Sequence, residues 1–129
     1  MKGLSITQRT LRALRQEGYL CGIVERFLSH VGAFGVHQDL FGIFDIIGIM
    51  PKGICGIQSC AGSGFAEHDR TILKSEYSPE WLKAGGHIEL WAWRKIKMKR
   101  GGKQMVWRPR LKVYSLKDFE NEGLGAPRV

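Results

Sequence analysis

The segment from Leu40 to Met50 is an almost unbroken run of Leu, Ile, Phe and Met that carries two glycines and, near its centre, one carboxylate, Asp45. An apolar run of this length bounded by turn residues reads as an interior strand. Pro51, Lys52 and Gly53 make a short turn, and Ile54 to Ser59 is a second apolar run, so the two are expected to pair as an antiparallel hairpin. A carboxylate in such surroundings costs several kcal/mol unless it is paired, or else takes up a proton. Asp45 therefore needs a strand-edge position, an arginine partner or a cation. A carboxylate held rigidly at a strand bend is what a hard ion such as magnesium requires.

The elements on either side follow from spacing. Ser5 caps a helix over Ile6 to Gln16 that Gly18 ends, and Tyr19 to Leu28 reads as a strand. Residues 29 to 40 read as an irregular crossing. Ala61 to Gly64 is a small-residue loop, followed by a helix from Phe65 to Lys74 and on to Lys83, broken or bent around Ser78 and Pro79. Beyond Gly85 and Gly86, His87 to Lys97 alternates, with Ile88, Leu90 and Ala92 on one side and Glu89, Trp91, Trp93 and Lys95 on the other. Gly101 and Gly102 then turn the chain into a last strand, Met105 to Tyr114. The expectation is one α/β domain over residues 1 to 116, in the order α-β-β-β-α-β-β, with a partly loose tail from 117 to 129.

The chain has 129 residues, 20 Lys plus Arg against 12 Asp plus Glu, and a formal charge of +8. That length suits one core rather than two, and that charge favours a polyanionic partner, nucleic acid ahead of a membrane surface. Cys21, Cys55 and Cys60 form no CxxC pair and follow no secretory leader, which fits a reduced, cytoplasmic compartment. The apolar run is too short to span a bilayer. No zinc spacing and no Walker lysine are present.

Candidate ligands for an ion at Asp45 are limited. Gln58 lies across the hairpin and offers an amide oxygen, a peptide carbonyl around Ser59 offers another, and Glu25 offers a second carboxylate, with a surface pair to Arg26 or another surface base as its alternative. Between Arg94 and Lys112 there is no acid, and Arg94, Lys95, Lys97, Lys99, Arg100, Lys103, Arg108 and Arg110 make a cationic hairpin suited to phosphates. Ser63 and its neighbouring backbone amides can face an anion at a helix start. Trp91, Trp93 and Trp107 interleave with the bases, either as stacking platforms or as core.

The arrangement of Glu25, then Asp39 to Asp45, then Gln58 to Ser63, then Trp91 to Lys95 with Trp107, resembles the restriction-endonuclease-like or PD-(D/E)XK nuclease superfamily over roughly residues 8 to 113. It looks most like small phage or bacterial members similar to Holliday junction resolvases and to the VRR-type nuclease domain. The resemblance implies a restriction-endonuclease-like core, a mixed sheet flanked by helices, and a Mg²⁺- or Mn²⁺-dependent endodeoxyribonuclease acting on branched or single-stranded DNA in a bacterial or phage-infected cell. It places metal-binding roles on Glu25, Asp45 and Gln58. The chain departs from the pattern at the third motif, where Gln58 replaces the acid and Cys60 the lysine. His68, Arg70 or Lys74 on the following helix can supply the missing charge or move a proton, and a Cys60–His68 nucleophilic pair is a remoter alternative. Paired cutting of a branched duplex implies a homodimer, with parts of Leu20 to Phe34 or the helix near Trp81 as candidate interfaces. The competing expectation is a DNA-binding module that keeps the fold without cleavage.

Overall fold

The computed structural model describes residues 3–120. Helix α1 (Ile6–Gln16) starts at Ser5, whose hydroxyl accepts from the Gln8 N–H, and Gly18 closes it at φ 86°, with the Tyr19 N–H donating back to the Leu14 carbonyl. Five strands form one sheet in the order β1 (Leu20–Ile23), β4 (Ile46–Met50), β5 (Gly53–Ala61), β6 (His87–Lys97) and β7 (Met105–Tyr114). All neighbours are antiparallel except β5 and β6. A parallel pair needs a crossover, and α2 (Phe65–Lys74) with α3 (Tyr77–Lys83) supplies it. The result is a mixed sheet flanked by three helices, an α/β arrangement.

Strand β5 is central and buried on both faces from Cys55 to Cys60. On one face Leu11 and Leu14 of α1 pack on Ile46, Cys55 and Ile57; on the other, Ile43, Phe44, Ile72, Ile88 and Leu90 pack beneath α2 and α3. Gly56 is required where Phe44 crosses β5, because a Cβ there would meet the Phe44 ring at 2.5 Å. Gly56→Ala should destabilise the fold by about 1–3 kcal/mol, read as a shift of the urea midpoint, and the loss should shrink in a Phe44→Ala background, where the ring is absent.

Both expected hairpins form: β4 pairs with β5 from Met50 opposite Gly53, and β6 pairs with β7 up to Lys97 opposite Met105. Three expectations need correction. Tyr19 to Leu28 is not one strand: after Ile23 the partner β4 has ended, and Arg26–Leu28 (β2) instead pairs with Val36–Gln38 (β3) in a separate two-stranded sheet. Leu40 to Met50 is not one strand either. Leu40 and Phe44 close a turn through mutual backbone hydrogen bonds, with Phe41 at φ 56° and Gly42 at φ 73°, and β4 begins only at Ile46. The turn sends Phe44 under Trp81, 4.8 Å between ring centroids, which a strand could not do.

The third correction concerns the crossover, which is broken into two helices as one of the two readings has it, but not at Ser78 and Pro79. The break falls at Ser75 and Glu76, and Ser78 Oγ donates to the Ile72 carbonyl at 2.7 Å across it. Pro79 sits in the first turn of α3, where its missing N–H is not needed. Of the expected loose tail, Leu116–Phe119 is a short 3₁₀ turn that buries Phe119 in the core, and residues 121–129 lie outside the described residues. Among the described residues no helix is long and apolar enough to cross a membrane.

Candidate active site

Asp45 occupies the last position before β4, at the point where the Leu40–Phe44 turn meets the sheet. It is buried, 3% exposed. Its Oδ1 accepts from the Ser59 backbone N–H at 3.1 Å and its Oδ2 from the Thr7 hydroxyl at 3.2 Å. Burial, then the nearby charge of Asp39, and to a smaller degree that of Glu25, push its pKa from 3.8 to about 7, against the pull of the Thr7 and Ser59 hydrogen bonds. A second buried carboxylate, Glu89, shows how this chain neutralises an acid when the task is structural. Lys52 Nζ lies 2.6 Å from one of its oxygens and Trp91 Nε1 donates to the other at 2.9 Å. Asp45 has no cationic partner among the described residues.

Gln58, the neighbour of Ser59 on β5, is buried and holds the second acid. Its Nε2 donates to Asp39 Oδ2 and to the Ile43 carbonyl, both at 2.8 Å. Two acceptors fix the amide orientation, and Oε1 takes no donor among the described residues. Two successive residues of β5 thus hold two carboxylates, Gln58 through its side chain and Ser59 through its backbone. Sequence reasoning does not single out Asp39 as a ligand. Its spacing of six residues from Asp45 across a glycine-containing turn is the signal that could have found it.

Glu25 lies just outside this pair. Its charge is felt at Asp45, but its Oε1 is 2.9 Å from His37 Nδ1 on β3. Of the alternatives for Glu25, Arg26 or another surface base, the partner is the latter, His37. The Ser59 hydroxyl is turned the other way, donating to Thr10 Oγ1 at 2.7 Å, where Trp93 Nε1 also donates at 2.8 Å. Thr7 and Thr10 of α1, neither of them a candidate on sequence grounds, thereby fix the acid and the strand beside it.

Cys60 is buried, and burial together with the charge of Asp45 pushes its thiol up to about 11, so it stays neutral and is a poor nucleophile. The three cysteines are free. His68 is half-buried against Gly64, close to Cys60. Arg70 is exposed further along α2, and Lys74 lies at its far end, lining a separate groove with Tyr77 and Phe119. Of the three helix residues, His68 is the one nearest the start of α2, against Gly64; Lys74 is about 13 Å away along the helix axis from the first residue of α2.

The basic hairpin projects beside this end of the sheet. Arg94, Lys95, Lys97, Lys99, Arg100, Lys103, Arg108 and Arg110 are all exposed. Directly opposed residues share a face, so Arg94 stands with Arg108, and Lys95 with Trp107, on opposite faces of the ribbon. Gly62, Ser63, Arg94, Lys95, Trp107 and Arg110 line one groove. The Arg9 guanidinium lies 4.1 Å above the Trp107 ring and that of Arg110 lies 3.7 Å above Phe65. Trp93 is core, 7% exposed, and Trp107 is the partly exposed one.

Among the described residues no three His, Cys, Asp or Glu side chains form a ready-made metal cage. The acids present still fit a hard divalent ion: two adjoining carboxylates with no cationic partner, and an amide whose oxygen is unengaged, leave the open positions that magnesium fills with water and phosphate oxygens. Comparison with protein families, with curated proteins and with solved structures finds no match to the chain.

Proposed function

We propose that this chain is a Mg²⁺- or Mn²⁺-dependent endonuclease with a restriction-endonuclease-like core, hydrolysing the phosphodiester backbone of branched or single-stranded DNA. The observation that carries the reading is the buried, cation-free Asp45 carboxyl beside Asp39 at the carboxyl end of β5, next to a hairpin of one charge sign. A structural acid in this chain, Glu89, is neutralised internally; Asp45 has no such partner among the described residues and is met either by a proton or by a further cation. The reading is in keeping with the resemblance of Asp39 to Asp45 to the superfamily pattern, from which the chain departs at Gln58 and Cys60.

Asp45 and Asp39 would hold the ion, with Gln58 Oε1 as a neutral third donor. Bound there, such an ion would supply positive charge to the phosphate and acidify the attacking water. Thr7 and the Ser59 N–H hold the Asp45 oxygens in place, and Gln58 holds Asp39, so the pair needs little rearrangement on binding. His68 would move a proton, and the hairpin arginines would position the phosphate backbone. A second reading, a DNA-binding module without cleavage, draws on the neutral Gln58 in place of an acid and the neutral thiol at Cys60.

Incubation with branched, nicked, single-stranded and plain duplex DNA, with magnesium, manganese or EDTA, separates the two. Cutting that requires the divalent ion supports the nuclease; tight binding without cutting in any condition replaces it with the binding module. A dimer would be read by sedimentation on the same samples. For the hairpin, Arg94→Gln with Arg110→Gln should lower the slope of log affinity against log salt by about 0.9 for each phosphate no longer neutralised. An unchanged slope in a fluorescence-anisotropy titration would remove these two arginines from the interface.

A further inference from the structure

On the side of the acids away from the basic hairpin lies an open groove of about 730 Å³, lined by Val24, Arg26, Asp39, Phe41 and Tyr77 among others. Its floor has an unusual construction. Phe41 is the one non-glycine residue with positive φ among the described residues, 56°, a region disfavoured for a bulky side chain. Yet the ring so placed is 49% exposed rather than buried. It is not loose: its centroid lies 5.7 Å from that of Tyr77, itself 48% exposed, and 6.3 Å from that of Trp81. A strained backbone that holds a braced aromatic ring out toward solvent gains nothing for the core.

We propose that Phe41 and Tyr77 form a stacking shelf for an unpaired nucleobase of single-stranded DNA, with the adjoining phosphate on Arg26. The ligand class rests on the nuclease reading above; the shelf itself rests on the groove. Asp39 on the groove wall disfavours a phosphate deep inside, whereas a neutral aromatic base meets two half-exposed, mutually braced rings there. Arg26 donates through Nη2 to Gln38 at 3.0 Å, which holds it in place and leaves other guanidinium donors for a phosphate. The groove is of a size that takes a nucleotide, and because Asp39 belongs to both, a base on the shelf brings its strand to the acids. The shelf selects strands whose bases are unpaired, since a base inside a duplex has no free face.

The test is binding in EDTA, where no cutting is expected, of a single-stranded oligonucleotide carrying 2-aminopurine and of the same sequence as a duplex. Wild type should quench the fluorophore on the single strand. Phe41→Ala and Tyr77→Ala should each weaken single-strand binding by about tenfold, the scale of one stacked base, with duplex binding within about twofold. Phe41→Gly removes the ring while suiting the positive φ, so it should melt no lower than wild type and still lose the quenching. Unchanged quenching in Phe41→Gly, or an equal loss for single strand and duplex, overturns the shelf. If wild type never cuts DNA but quenching depends on Phe41, the shelf stands and the nuclease falls; if it cuts and Phe41 is without effect, the reverse holds. Wild type that binds no nucleic acid overturns both.

Discussion

Asp45→Asn reduces divalent-dependent cleavage by on the order of 10³-fold, the upper end of what one charge-stabilising group contributes, and leaves DNA affinity in EDTA within about twofold. The substitution is conservative where it stands. An asparagine oxygen accepts from the Ser59 N–H as the carboxylate does, and the Thr7 hydroxyl can rotate to accept from the new amide, so the turn at residues 40–44 and the start of β4 are kept. Only the charge is removed. Asp39→Asn should behave similarly, but Glu25→Gln, whose carboxylate is taken by His37, should cost less than either. Single-turnover rates measured on the substrate that wild type cuts best provide the comparison. Retention of wild-type cleavage in Asp45→Asn would remove the ion from the mechanism.

The same residue dominates the pH dependence of stability. Its carboxyl has a pKa of about 7 in the folded chain against 3.8 ordinarily, so between those values the folded state binds the extra proton. Stability therefore falls as pH rises through that window. It is highest below about 4 in this contribution, and above 7 the folded protein carries a buried charge costing roughly 4 kcal/mol, at 1.36 kcal/mol for each pH unit separating the two values. Urea unfolding in EDTA at pH 5 and pH 8 should show wild type losing on the order of 3 kcal/mol more than Asp45→Asn across that interval. Magnesium should reverse the difference at pH 8, because an ion held by the folded state alone favours the ionised carboxyl. Parallel pH profiles for the two proteins would mean that Asp45 ionises as freely as an exposed acid.

The parts of this molecule that were legible in the sequence are those governed by local pattern. The strand His87 to Lys97 was legible, although both of its sides are largely buried from Ile88 to Trp93; Ser5 and Gly18 bounded α1, and the two hairpin turns were set by Pro51–Gly53 and the Gly101–Gly102 pair. Asp45 was visible because a lone charge in an apolar run demands an edge position, an arginine partner or a cation. The illegible parts depend on tertiary accommodation. Phe44 and Ile43 look like strand residues, but a turn buries them better, since Gly42 accepts a left-handed backbone and Gly56 leaves room for the Phe44 ring. Asp39 could not be placed while the path of residues 29 to 40 was unknown. Thr7 and Thr10 look like ordinary helix-surface residues until β5 is docked against them.

The Thr10 hydroxyl receives hydrogen bonds from Ser59, 49 positions later in the chain, and from Trp93, 83 positions later. Pairings this remote form only after the intervening loop is closed. The local hairpin β4–β5 can therefore form early, while the Trp93 half of the Thr10 clasp waits for β6 to be in place. The contacts that hold the two acids, Thr7 and the Ser59 N–H on Asp45 and Gln58 on Asp39, all come from the first 59 residues, whereas the Trp93 bond to Thr10 comes from β6. The surroundings of the carboxylates are thus encoded in the first half of the chain, and the bond that ties α1 to β6 in the second.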